Sequence, residues 1–429
     1  MDAVTPVLNA VVQRCDGRAL AEARLLDAER KAGHLRGPLH GVPMTIKDSL
    51  DTAGVITTAG LRSRADHVPP ADATVVRRLR EAGAVLLGKT NTSALTLSFQ
   101  TDNEVYGPTR NPHSADRSAG GSSGGAAAIV AAGGAPFDIG SDYGGSIRLP
   151  AHYCGVVGLK PTAGRVPRTG HAYPFGGILD SCQQIGPIAR CVPDLELLLR
   201  VIAGPDGVDP GVAALPLRNR RDVNPASLRI AYHTDNGIAR PSTETEKAVL
   251  EASGFLRETV ESVVEARPRM LPETLELIGL YRWDGGAAVR RILGDTAGEI
   301  SRPGRAASAE ELDALIARWY RFRSGMLSFL EDFDAILCPV NEEPARIPGP
   351  EMYTDEAFTY TFSYNLTGWP AAVVRVGTSP DRLPIGVQIA AGPGREDVVL
   401  CLAELIERAA GPFAPPTIAP STEQETVVP

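Results

Sequence analysis

The sequence predicts an α/β protein, with a mixed β-sheet core flanked by α-helices on both faces. Three observations carry that prediction. Helical and strand-like segments alternate through the first half of the chain, glycine-rich loops separate them, and two late apolar runs return the chain to the same sheet. Such alternation favours a parallel or mixed sheet, because each helix buries its apolar stripe against a sheet face.

The elements follow in order. Residues 1–34 carry a helical period, with Ala, Leu and Val on one face and Arg, Asp and Glu on the other. GPLHGVPMTIKDSLD (37–51) reads as a turn, a short buried strand and a polar exit. Asp72 to Ala82 predicts an amphipathic helix closed by Gly83, and AVLLGKT (84–90) the next strand. SAGGSSGG (118–125) is a glycine-rich loop, while AAAIVAAGG (126–134) has high helix propensity and ends on two glycines. PFDIGSD (136–142) predicts a strand, YGGS (143–146) a tight turn, IRLPAHY (147–153) an irregular or helical continuation, and GVVGLKPT (155–162) another strand. Residues 204–226, rich in Gly, Pro and charge, read as a surface excursion. From Ser242 to about Leu330 the pattern is mainly helical, with amphipathic stretches at 243–265 and 308–330. FDAILCPV (333–340) and PAAVVRVG (370–377) are the late buried strands. With no internal repeat, the expectation is one domain over 1–429, with a cap-like helical segment at about 242–330. A proline-rich tail, about 411–429, is ordered only if it docks.

Composition bounds the function. The 429 residues are 43% hydrophobic and 22% charged, the profile of a globular protein. A formal net charge of −8 argues against nucleic acid as the main ligand, because phosphate binding wants a basic surface. The opening MDAVTPVLNAVVQRCDG has no basic segment followed by an apolar one, so no secretory signal is expected. No apolar run reaches the ~18 residues a membrane span needs. Six scattered cysteines, Cys15, Cys154, Cys182, Cys191, Cys338 and Cys401, read as reduced, mostly buried thiols of a cytoplasmic protein. The seven histidines form no H-E-x-x-H or Cys/His cluster, and neither metal nor cofactor is expected.

Two serine-bearing glycine loops carry the chemistry, GGSSGG (120–125) and DYGGSIR (142–148). A serine hydroxyl attacks a carbonyl poorly unless a base takes its proton. It also needs donors aimed at the oxygen that becomes negative. The glycines before Ser146 let successive N–H groups turn toward one point, which suggests an oxyanion hole from Tyr143, Gly144, Gly145 and Ser146. No histidine sits in a familiar serine-hydrolase pattern, and there is no G-x-S-x-G elbow. Lys47 is the better base. It follows the apolar GVPMTI, and burial of its stem would disfavour the ammonium and free a neutral amine near pH 7 to 8.

Read together, these segments resemble the amidase signature family, in which a G-x-P-x-x-x-K-D lysine precedes G-G-S-S-G-G and then D-x-G-G-S-I-R-x-P. The chain carries GVPMTIKD (41–48), AGGSSGG (119–125) and SDYGGSIRLPA (141–151), with Ser122 and Ser146 24 positions apart. LNAVV (8–12), CGVVGLKPT (154–162), GPIAR (186–190), NLTGWPAAVVRVG (365–377) and LPIGVQIAAGPGRED (383–397) extend the resemblance over nearly the whole chain. It implies the family's fold and an amidohydrolase. Ser146 would be the nucleophile, Ser122 a bridging serine on a cis peptide bond, and neutral Lys47 the base of a Ser–Ser–Lys relay. Ser123, Asp142 and Arg148 would orient the loops. The substrate would be a small-molecule carboxamide, anilide, ester or carbamate. Homodimers are common in that family, and nothing in this sequence itself marks one.

Some positions depart from the pattern. Ser141 replaces the usual threonine, Tyr143 a small or β-branched residue, and Ala94 a frequent glutamate. ILDSCQQIGP (178–187) runs a residue or two longer than usual, and little chain precedes LNAVV. These changes bear on the substrate rather than on the triad, and uncharged TNTSALTLSF and YPFGGILD suit an apolar or aromatic one. A second reading is the glutaminase subunit of a tRNA-dependent amidotransferase, working beside an RNA-binding partner. A third is a silent scaffold, which has no need of all three triad residues. Among the rest, Asp142 and Arg148 fit a structural ion pair as well as a catalytic role. Cys154 reads as a packed thiol, and Lys160 and Pro161 as structural. Tyr281 and Trp283 fit either a substrate tunnel or the packing of a helical layer.

Overall fold

The computed structural model describes residues 1–178, 180–300, 305–349 and 354–418. The segment 178–187, the cap-like segment and the proline-rich tail therefore fall partly outside the described residues. The chain opens with helix α1 (Thr5–Leu8), strand β1 (Val11–Arg14), helix α2 (Asp16–Lys31), strand β2 (Pro43–Lys47), helix α3 (Thr74–Glu81) and strand β3 (Val85–Thr90). Helix α4 (Gly124–Ala131), strand β4 (Phe137–Asp142), helix α5 (Arg148–Cys154) and strands β5 (Val157–Lys160) and β6 (Gln184–Ala189) follow. Next come α6 (Val192–Ile202), β7 (Arg229–Tyr232), α7 (Thr243–Leu256), β8 (Ser262–Glu265), α8 (Thr274–Leu277), α9 (Ala287–Leu293) and α10 (Ala309–Phe329). The chain closes with β9 (Ala335–Pro339), α11 (Asp355–Leu366), β10 (Ala371–Thr378), β11 (Pro384–Ala391) and α12 (Glu396–Ala410).

All eleven described strands lie in one sheet, ordered β1-β3-β2-β4-β6-β5-β10-β11-β9-β7-β8. β2 runs parallel to β3 and β4, and β7 parallel to β8 and β9, while β4–β6, β5–β6, β5–β10, β10–β11 and β9–β11 are antiparallel. The mixed sheet expected from the sequence is thus present. Its central strands β4, β6, β5 and β11 are buried along their whole length because both faces are covered. On β9, Ala335 and Leu337 join a core with α3, α6, α7 and α12, whereas Ile336 and Cys338 join one with α8, α10 and α11. A third core packs α4 and α5 over Ile188 and Val373.

Two expectations need correction. The helical period over 1–34 hides β1, which pairs antiparallel with β3 through Val11 and Thr90. Asn9, at φ 49°, ends α1 in the left-handed region and turns the chain into that pairing, a conformation asparagine tolerates. The helix expected to reach 265 stops at Leu256, and SVVE forms β8 at the sheet edge beside β7. In both places a β-branched pair found a strand partner that periodicity cannot see. The open alternative at 147–153 resolves as α5. Among the described residues no helix is long and apolar enough to cross a membrane.

Candidate active site

Lys47 ends β2, between β3 and β4, and is fully buried. Its Nζ lies 2.7 Å from Ser122 Oγ, 2.9 Å from Ser123 Oγ and 3.0 Å from Ser141 Oγ. Three hydroxyls surround it, and no ion pair holds it among the described residues. Burial drives its pKa down to about 7, against the opposing pull of Asp142 and Asp138. A neutral amine is therefore present at neutral pH.

Ser122 and Ser123 come from the glycine loop that opens α4, and the Gly121–Ser122 peptide is cis. Ser123 stands at the N-cap of α4 but does not cap it. Its hydroxyl instead accepts from Lys47 and donates to the Ser141 carbonyl at 3.2 Å. Thr101 supplies the missing acceptor, taking the Gly124 N–H at 2.8 Å, so an orphan donor of the helix start is satisfied from a distant loop. The Ser123 N–H donates to the Ser146 carbonyl at 3.2 Å and ties the two glycine loops together.

Asp142 and Arg148 form a fully buried two-pronged pair, Nε to Oδ2 at 3.0 Å and Nη2 to Oδ1 at 2.9 Å. Burial alone would raise the Asp142 pKa, but the charge and hydrogen bonds of Arg148 outweigh it and hold the carboxyl well below the usual range. Arg148 also reaches the Thr361 carbonyl and Gln388 Oε1, and Asn365 Nδ2 donates to Asp142 at 2.8 Å. The pair thus anchors the serine loop to α11 and β11. The two glycines let that loop come close. A Cβ on Gly144 would lie 2.6 Å from the Phe362 ring, and one on Gly145, at φ 138°, would lie 2.5 Å from Thr361 Oγ1.

The expected oxyanion donors need one correction. The Gly145 N–H is already given to Asp142 Oδ1 at 2.8 Å, because the carboxylate accepts the turn that shapes the loop. The N–H groups of Gly144 and Ser146 have no acceptor among the described residues, and with Tyr143 they remain the candidates. Ser146 is 5% exposed and borders a cavity of about 50 Å³ with Thr96, Phe99, Tyr143, Tyr281 and Phe362. Its hydroxyl makes no hydrogen bond among the described residues, so the expected bridge to Ser122 is open. Such bonds commonly tighten only when substrate is bound.

Sequence reasoning missed His171 and gave Ser141 too small a part. His171 Nε2 lies 3.0 Å from Ser141 Oγ and 3.1 Å from Ser49 Oγ, and its Nδ1 takes the Tyr173 N–H at 3.0 Å. Burial, then the neighbouring Lys47, lowers the His171 pKa to about 3, so the ring is neutral. The only available signal was Ser141 beside Asp142, since His171 lies in no motif. Of the remaining candidates, Cys154 is buried against the Ala119 carbonyl, and burial pushes its thiol far up. Lys160 is buried on the Pro161 carbonyl and Gln184. Tyr281 borders the cavity at Ser146, whereas Trp283 stacks under Arg305 at 4.6 Å.

The sequence model of the family described as Amidase matches residues 1–400. Fold and sequence together define a hydrolase acting on carbon–nitrogen bonds. The chain belongs to the amidase signature family. It is 36% identical to an acylamidase of Rhodococcus erythropolis over 434 residues, covering 93% of this chain and 88% of that protein. It is also 36% identical to a glutamyl-tRNA(Gln) amidotransferase subunit of Koribacter versatilis over 448 residues, covering 94% and 91%. Among solved structures, 6-aminohexanoate cyclic dimer hydrolase complexed with substrate superposes with a TM-score of 0.84 at 29% identity, covering 98% of this chain and 93% of that one.

Proposed function

We propose that this chain hydrolyses a small-molecule carboxamide, anilide, ester or carbamate through an acyl-enzyme on Ser146. The observation that carries the reading is the buried, uncompensated Lys47, set against three hydroxyls with Ser122 nearest at 2.7 Å. Ser123 spends its own proton on the Ser141 carbonyl, so it can only accept from Lys47. The amine's lone pair is therefore left to Ser122 or Ser141. As Ser146 Oγ bonds to the carbonyl carbon, its proton passes to Ser122, and the Ser122 proton passes to Lys47. The oxygen that becomes negative is met by the N–H groups of Gly144 and Ser146. The C–N bond then breaks, the proton returns along the same path to the leaving amine, and water repeats the sequence to free the acid. Asp142 and Arg148 act by holding the loop.

The similarity to amidotransferase subunits supports a second reading, a glutaminase in a complex. Glutamine carries an ammonium and a carboxylate, and the cavity at Ser146 is bordered by uncharged residues. That favours the stand-alone hydrolase. We also read residues 1–429 as one catalytic unit, since Tyr281 from the helical segment meets the carbonyl of Tyr143 at 2.7 Å. The test is turnover of anilides, aryl esters, carbamates and glutamine by wild type and Ser146→Ala. Loss of about three decades or more in kcat, the scale of removing a nucleophile, supports the reading. Equal turnover by both proteins sinks it, and turnover of glutamine alone moves the lead to the second reading.

A further inference from the structure

Two cavities of different size share walls at Tyr143 and Tyr281, and the inner one borders Ser146. The inner one, about 50 Å³, touches Ser146 and Gly144. The outer one, about 280 Å³, extends to Tyr173, Leu280, Ala288 and Val289. Tyr143 and Tyr281 border both. For scale, a water takes about 30 Å³ of the liquid, and a cavity of about 150 Å³ holds a benzene ring. The inner space thus excludes a ring and admits a group of a few heavy atoms, while the outer one takes a ring with room left over.

The walls favour a flat apolar guest. Ring centroids stand 4.8 Å apart for Tyr143 and Tyr281, 5.3 Å for Tyr143 and Tyr173, and 5.0 Å for Tyr281 and Phe362. Such tilted and edge-on arrangements offer ring faces and edges to another ring. The Tyr281 hydroxyl, bonded to the Tyr143 carbonyl, holds its ring in place. Three charged residues stand on the outer wall: Arg282 pairs with Asp355, Asp284 accepts the N–H groups of Gly286 and Ala288, and Arg291 donates to the Gly176 carbonyl at 3.1 Å.

We infer that the substrate is an amide with one flat aromatic arm in the outer cavity and one arm of about three heavy atoms or fewer beside Ser146. This rests on Ser146 being the nucleophile. It sets long-chain amides and glutamine aside.

The experiment compares kcat/KM for acetanilide, phenylacetamide, octanamide, acetamide and glutamine in wild type and in Ala288→Trp, which fills the outer cavity. One of the two ring amides should exceed octanamide and glutamine by about tenfold or more, the scale of a pocket contact. Acetanilide leading places the ring on the amine, and phenylacetamide leading places it on the acyl group. In Ala288→Trp the ratio of ring amide to acetamide should fall about tenfold. A best substrate among octanamide and glutamine overturns the inference. So does an unchanged ratio in a variant that melts like wild type. If Ala288→Trp fails to fold, Tyr173→Leu, which removes an aromatic wall, must lower the same ratio. Labelling of Ser146 by a small fluorophosphonate separates the two failures. A labelled enzyme with the wrong preference rejects only the substrate class, whereas no labelling and no turnover rejects the nucleophile.

Discussion

Lys47 and Lys89 sit on neighbouring parallel strands, and both are fully buried. Burial lowers both, Lys47 to about 7 and Lys89 to about 8. Their company differs. Lys89 faces the Asp48 carboxylate at 3.8 Å, the Leu50 carbonyl at 2.5 Å and Thr57 Oγ1 at 2.9 Å. Lys47 faces only serine oxygens at its three shortest contacts. A carbonyl or carboxylate can only accept from an amine, while a hydroxyl can also hand it a proton. Depth in the sheet makes a lysine's charge costly. The neighbours decide whether such a lysine is placed to take a proton from a hydroxyl or sits in a structural ion pair.

Substituting each lysine by methionine tests that contrast. Lys47→Met should cost kcat about three decades or more, the scale of removing a member of a catalytic relay, while leaving the melting temperature close to wild type, since relief of the amine's burial cost offsets the loss of its three hydroxyl contacts. A fall of less than tenfold in single-turnover rate would break the comparison. Lys89→Met should do the reverse. It leaves Asp48 buried without its cation, which destabilises by about 3–5 kcal/mol, seen as a lower denaturant midpoint. The folded protein should still turn over within a few-fold of wild type.

The pH dependence follows from the same pair. Lys47 must be neutral to accept a proton, so kcat/KM should drop about tenfold per pH unit below its pKa of about 7. Stability moves in the same direction. The folded pKa lies below the unfolded value of 10.5, so the unfolded chain binds more protons between these values and stability rises with pH across that window. Denaturant midpoints in Lys47→Met should show a flatter rise. The smallest effect belongs to His171→Leu. Freeing the Ser141 hydroxyl loosens one of three contacts to Lys47, and kcat should fall on the order of tenfold, less than the roughly hundredfold of a 1 Å misplacement. An unchanged kcat would remove His171 from the site.

Much of the site was legible because it is local. Lys47, GGSSGG and DYGGSIR each lie within a few residues of a strand end or a helix start, where short-range pattern sets the backbone. The strands β2, β3, β4, β5, β9 and β10 were legible for a related reason, being short apolar runs between breakers. β1, β6, β7, β8 and β11 were not. β1 and β8 are four-residue edge strands, while β6, β7 and β11 lie inside the sheet, and the pairing of each depends on chain far away in sequence. His171 was hidden likewise. Its contact with Ser141 spans 30 residues and falls in no motif.

The sequence by itself determined the α/β class, the order of its motifs and the residue types able to carry acyl transfer, because these depend on periodicity and on side-chain chemistry. Tertiary structure alone decided what each group faces. It showed that the Gly145 N–H serves Asp142, that the serine loop's glycines make room for Phe362 and Thr361, and that Tyr281 rather than Trp283 borders the cavity. Gly145 and Asp142 are only three residues apart, but the other distances join segments far apart in sequence, as does the 223-residue span from Asp142 to Asn365 that holds the loop. Only packing of the whole chain sets such distances, and they govern which N–H groups stay free and which serine meets the amine.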